Sequence, residues 1–76
     1  MKKHYVEMIC HIDTAGEPSP TRIIWPDGRS WGINCVLQTS TSPFGEYEGT
    51  RYIVLIGNLV KNIYEDGGRW YVLSEE

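Results

Sequence analysis

The stretch 21-TRIIWPDGRSWGI-33 decides the fold, because it has the composition of a tight β-hairpin. Pro26 suits the second position of a type I turn, since its ring fixes the backbone angle that this position needs. Asp27 suits the third position, and Gly28 can adopt the left-handed conformation that closes a three-residue loop. A two-residue loop would instead place Pro26 in the ladder, where it has no N–H to donate. The stretch therefore predicts the three-residue loop.

This loop sets the register of the hairpin. Trp25 then faces Arg29, and Ile23 faces Trp31. The pair of Trp25 and Arg29 has two interpretations: an aromatic–cation platform for a ligand, or a cross-strand cation–π contact that only supports the hairpin. The second interpretation is favoured, and Trp31 is expected in the core.

The rest of the chain continues the β pattern. Residues 5–12 and 51–57 have the composition of strands, and residues 58–73 form a second hairpin that turns at Asp66-Gly67-Gly68. Strand character also continues from the first hairpin through residues 34–39, whereas residues 13–20 and 40–50 have loop composition. No long helical stripe is present. We therefore predict a single all-β domain over residues 1–76: a small, hairpin-rich antiparallel sheet of five to six strands, or an SH3-like barrel.

Composition limits the function classes. The 76 residues carry a net charge of −3, which argues against binding phosphate backbones through many basic side chains. The first ten residues lack the apolar run of a signal peptide, and no segment approaches the roughly 20 apolar residues that span a membrane. We expect a cytoplasmic protein without membrane association.

Three segments within about residues 20–73 have distinctive patterns: IIWPDGRSWGINCV, GTRYIVLIGN and IYEDGGRWYV. They resemble, in order and spacing, those of a family of small uncharacterised bacterial β-proteins. They match family signatures of the types W-x-D-G-R, R-Y-x-V-x-I-x-G and E-D-x-R-W-F-V. The family has no established activity, so the resemblance implies a fold and no function. Two features depart from the pattern: the turn at Gly67-Gly68 is one residue longer, and Ile53 and Leu55 stand where relatives carry polar residues.

Residues with metal-binding or catalytic chemistry lack the spacing that such sites need. Cys10 and His11 are adjacent, so a strand points them to opposite faces. Cys35 is isolated, and a bridge between the two cysteines is not expected in a reducing compartment. No paired carboxylates, nucleophile motif or phosphate-binding glycine loop is recognisable. We predict that the protein is not an enzyme, with no catalytic residue, metal site or cofactor.

The alternation of residues 51–57 and 69–74 places apolar side chains on both faces of these strands. If the strands are neighbours, Ile53, Leu55, Tyr71 and Leu73 form an apolar patch outside the core, typical of an interface with a protein partner or of a homodimer. Alternatively, residues 40–50 fold over the patch as a lid with Phe44 and Tyr47, which is slightly favoured. The candidate binding surface comprises Trp25, Arg29, Ile53, Leu55, Tyr71 and Leu73.

The predicted function is that of a small non-catalytic interaction module that binds a protein partner or itself. The alternative is a single-stranded nucleic-acid binder, because small β-proteins combine arginines with stacking aromatic rings for that purpose. The residues for it are Arg22, Arg29, Arg51, Arg69, Trp25, Tyr52 and Trp70. The acidic net charge makes this second function less expected.

Overall fold

The computed structural model describes residues 2–74. These residues form seven strands, joined by turns and loops, and no helix. No segment of this range is therefore a helix that could cross a membrane. The strands are β1 Lys2–Ile12, β2 Pro18–Ile24, β3 Ser30–Gly32, β4 Cys35–Thr41, β5 Thr50–Ile56, β6 Leu59–Asp66 and β7 Arg69–Ser74. The prediction of an all-β protein is confirmed.

All strand pairs are antiparallel, and the order across the sheet is β3-β2-β1-β7-β6-β5-β4. The sheet curls into a half-barrel, so its two edge strands, β3 and β4, meet at a corner. There the N–H of Ile33 donates to the carbonyl of Thr21 on β2, and the N–H of Asn34 donates to the carbonyl of Leu55 on β5, both at 2.8 Å. Two consecutive residues thus join opposite edges of the sheet.

The concave face of the sheet, called here the inner face, holds the core. Ile23, Val54, Ile63 and Trp70 are buried there and form one cluster. Their strands contribute alternate residues to this face, as period-two patterning requires. The opposite, outer face carries Tyr64 and Tyr71.

The hairpin at residues 25–29 has the predicted three-residue loop. The N–H of Trp25 donates to the carbonyl of Arg29 at 2.8 Å, and the N–H of Gly28 donates to the carbonyl of Trp25 at 2.9 Å. Ile23 pairs with Trp31 in the ladder. Gly28 has a φ of 92°, a conformation that glycine adopts without the strain of a Cβ.

The predicted count of five to six strands is wrong. The segment expected to run on from the first hairpin bends at Ile33 and Asn34, so it forms two short strands instead of one. The predicted loop at residues 13–20 is also too long, because β2 begins at Pro18. The ladder accommodates Pro20 opposite Cys10, where the register shifts by a β-bulge.

Candidate binding cleft

Arg29 does not form the predicted contact with the Trp25 ring. Its guanidinium bonds to Asp27 instead, with Nε donating to Oδ2 at 2.7 Å. The backbone N–H of Arg29 also donates to Oδ1 at 3.0 Å, and these bonds, the backbone one above all, lower the pKa of the Asp27 carboxyl. Trp25 packs edge-on against Trp31, with ring centroids 5.4 Å apart. The platform of Trp25 and Arg29 is therefore replaced by a pair of indoles.

Trp31 is not the core residue that its position opposite Ile23 predicted. It is 39% exposed. Ile23 and Trp31 share the inner face, but Trp31 lies on β3, the short strand at the edge of the sheet. This leaves an indole accessible at one end of the half-barrel.

The predicted apolar patch is divided, because β6 lies between β5 and β7. Ile53 pairs with Asn62 on β6, so a polar side chain separates it from Leu73. Ile53, Leu55 and Leu73 are half-buried on the outer face, whereas Tyr71 is only 1% exposed. The four residues do not form one exposed surface.

A lid over the outer face is formed, although not by both of the predicted residues. The ring of Tyr47 packs on Tyr64 at 5.1 Å, and the hydroxyl of Tyr71 donates to the carbonyl of Glu48 at 2.7 Å. Burial raises the pKa of Tyr71. Phe44 is 85% exposed and takes no part in covering the tyrosines. The segment between β4 and β5 thus covers part of the outer face through Tyr47 and Glu48.

The feature that the sequence did not predict is a gap between β6 and β7. These strands pair only next to their turn, at Asp66–Arg69, Glu65–Trp70 and Tyr64–Tyr71. Beyond that point β6 stays paired with β5 as far as Leu59, and β7 stays paired with β1 as far as Ser74. Both walls of the gap are therefore ordered strands whose facing edges are unpaired within residues 2–74.

The register identifies which backbone groups face the gap. A two-residue hairpin begins with a hydrogen-bonded pair, and in an antiparallel ladder every second residue then bonds to the same neighbour. The turn at residues 57–58 makes Leu59 and Lys61 bond to β5, which turns the N–H and C=O of Val60 and Asn62 towards the gap. By the same alternation from the turn at residues 67–68, Leu73 faces the gap from β7.

The gap opens into a cavity of about 560 Å³ on the inner face. This volume is typical of ligand sites. Its wall is mainly apolar, with Trp25 and Trp31 as its largest side chains, and the exposed Val60 lies on its rim. The Nε1–H of Trp25 is shielded from solvent and has no acceptor among residues 2–74. We call this gap and its cavity the β6–β7 cleft.

The charged side chain that lines the cleft among residues 2–74 is that of Lys61, which is exposed. None of the described lining residues is an aspartate or glutamate. The Lys61 ammonium has no carboxylate within 4 Å among residues 2–74. His4 also lines the cleft, and its Nε2 is hydrogen-bonded to the Ser74 hydroxyl at 2.6 Å. A cleft with this wall favours an anionic or neutral occupant.

The residues named for nucleic-acid binding are not assembled into one surface. Trp70 is buried, and Tyr52 packs against the core, so neither ring offers an open stacking face. The guanidinium of Arg69 lies over the Tyr5 ring at 3.8 Å, and that of Arg51 lies over Tyr47 at 5.2 Å. These arginines thus contact the protein's own aromatic rings.

The two cysteines are free. Cys10 is half-buried beside the core, and burial raises the pKa of its thiol, which makes it less reactive. Cys35 is exposed on β4. Residues 2–74 bring together no group of three side chains suited to a metal ion.

Comparisons with family models, with curated proteins and with solved structures found no significant match. The resemblance to small bacterial β-proteins therefore stays a prediction.

Proposed function

We propose that the protein is a small non-catalytic interaction module that binds an extended segment of a protein partner in the β6–β7 cleft. The observation that supports this is the unpaired stretch of two ordered strands. An edge strand binds an extended peptide through main-chain hydrogen bonds, while pockets for alternate side chains give specificity. The cleft offers both: backbone groups at Val60, Asn62 and Leu73 that have no strand partner within residues 2–74, and an apolar cavity behind them.

The energetics favour an occupant of this kind. The residues whose backbone groups face the cleft include the exposed Val60 and Asn62, so each main-chain hydrogen bond to an added strand replaces a bond to water and contributes about 0.5–1.5 kcal/mol net. An added strand would supply partners to these groups while its inward side chains cover the exposed part of Trp31. The SH3-like form of the fold and the cytoplasmic location stay predictions, and strand addition requires neither.

A peptide titration followed by nuclear magnetic resonance tests this function. The probe is a capped eight-residue peptide in which valine and phenylalanine alternate with threonine. We expect the amide signals of Val60, Asn62 and Leu73 to shift on binding, and their hydrogen exchange to slow. The matched control is the same peptide with prolines replacing its two central threonines, since it lacks the donors for a ladder.

Two results would contradict the proposal. One is equal binding of the proline-containing peptide. The other is binding that leaves the three amides unprotected. Sedimentation velocity separates the remaining case of self-association: a concentration-dependent dimer that protects the same amides would make the partner segment a second copy of this chain.

A further inference from the structure

The wall of the cleft also specifies the chemistry of its occupant. We propose, resting on the proposed function, that the bound segment carries a large apolar side chain that enters the cavity beside Trp31, and a carboxylate that pairs with Lys61. Both features follow from where the side chains of an added strand would point.

The apolar part of the inference rests on the cavity. Side chains of an added strand alternate between the two faces of the sheet, so every second one enters the cavity on the inner face. A side chain that enters the cavity would contact Trp25, Trp31, Ile56 and Val72. A phenylalanine or leucine side chain would be removed from water there, whereas alanine would leave most of the cavity unfilled.

The carboxylate is inferred from the charges that line the cleft. The chain as a whole has ten acidic and seven basic residues, yet the described lining of the cleft contains Lys61 and no carboxylate. Lys61 pairs with Val54 in the ladder and shares the inner face of β6 with Ile63, so its ammonium lies on the side where the cavity opens. A carboxylate on the occupant complements this charge, and a second ammonium would be repelled.

The experiment uses fluorescein-labelled forms of the same eight-residue peptide and fluorescence polarisation at low salt. One form carries a terminal aspartate, and its partners carry asparagine or lysine at that position. A fourth form keeps the aspartate and replaces phenylalanine with alanine. Each is titrated with the wild type and with the variants Lys61→Gln and Lys61→Glu. Arg69→Gln is the matched control, because it removes one positive charge from outside the cleft.

For the wild type we expect the aspartate peptide to bind about fivefold more tightly than the asparagine peptide, as an exposed ion pair allows. Lys61→Gln should abolish this preference, Lys61→Glu should transfer it to the lysine peptide, and Arg69→Gln should retain it. The alanine form should bind more weakly than the phenylalanine form, by a factor of about ten or more.

Equal affinity for the aspartate and asparagine peptides, or a preference that survives in Lys61→Gln, would overturn the charged part of the inference. Equal affinity for the phenylalanine and alanine forms would overturn the apolar part. In these cases the protection of the backbone amides still reports on strand addition, so the proposed function is judged separately. If no form of the peptide binds, the inference and the proposed function are both wrong.

Discussion

Proline substitution at neighbouring positions of β6 tests whether one edge of this strand is free. The register turns the N–H of Val60 towards the gap and the N–H of Lys61 towards Val54 on β5. Both side chains are exposed, so a proline at either position removes little packing. We expect Val60→Pro to fold with a loss of less than about 1 kcal/mol, because proline is tolerated where the N–H points away from the ladder.

Lys61→Pro should be much more costly. It removes the ladder hydrogen bond to the buried Val54 and leaves the carbonyl of that residue without its donor, at a cost of about 1–3 kcal/mol. The expected loss is therefore about 1–3 kcal/mol. A domain of 76 residues has a total stability of about 4–11 kcal/mol, so this loss is a large fraction of the whole.

Urea unfolding followed by circular dichroism measures both losses, with Lys61→Ala as the control for the missing side chain. Equal destabilisation by the two prolines would refute the reasoning, because it would mean that the N–H of Val60 is also bonded in the folded protein. A greater loss for Val60→Pro than for Lys61→Pro would place the register of β6 one residue away from that described.

Three further predictions concern the loops. Gly28→Val should destabilise the fold by about 1 kcal/mol or more, measured by thermal melting, because a β-branched residue resists a positive φ. Gly49→Ala should release the segment between β4 and β5, because a Cβ there would overlap the backbone carbonyl of Glu65; faster proteolysis of that segment in the variant than in the wild type checks this. The Lys3 ammonium donates to Glu48 and lowers the pKa of that carboxyl in the folded protein. The contribution of this ion pair to the free energy of unfolding is therefore complete above the pKa that Glu48 has in the unfolded chain, and it is lost as pH falls through the lower pKa of the folded state. Urea midpoints measured from pH 6 down to about 2 should fall less steeply in Glu48→Gln than in the wild type.

The first hairpin could be predicted from the sequence because its information is local. Pro26 admits few backbone conformations, and Gly28 is the residue type that takes the positive φ closing the loop, so together they define the loop and its register. Strand existence elsewhere followed from alternation over a few residues. The bend at Ile33 and Asn34 has no comparable signal, since it depends on bonds to Thr21 and Leu55, which are distant in sequence.

The cleft could not be predicted for a related reason. The turn at residues 67–68 predicts that β6 and β7 pair along their whole length, and no residue in either strand signals that the ladder stops after Tyr64 and Tyr71. Each strand has its longer ladder with its other neighbour, β5 or β1, and the curl of the sheet separates the two pairs. Such a competition between ladders is a property of the assembled sheet. The roles proposed for Lys61 and Trp31 depend on the gap that this competition leaves, so no sequence motif around either residue predicts them.

An unpaired edge is normally a liability, because it can recruit strands of other molecules without limit. The β6–β7 cleft differs from an ordinary edge because groups that are unpaired in the described part of the chain face it from both sides, Val60 and Asn62 on one strand and Leu73 on the other. A segment that pairs with both walls has its own two edges occupied, so no further strand can add to it. On this reasoning the same gap that binds one extended segment also ends the growth of the sheet, and binding should saturate at one peptide for each protein chain.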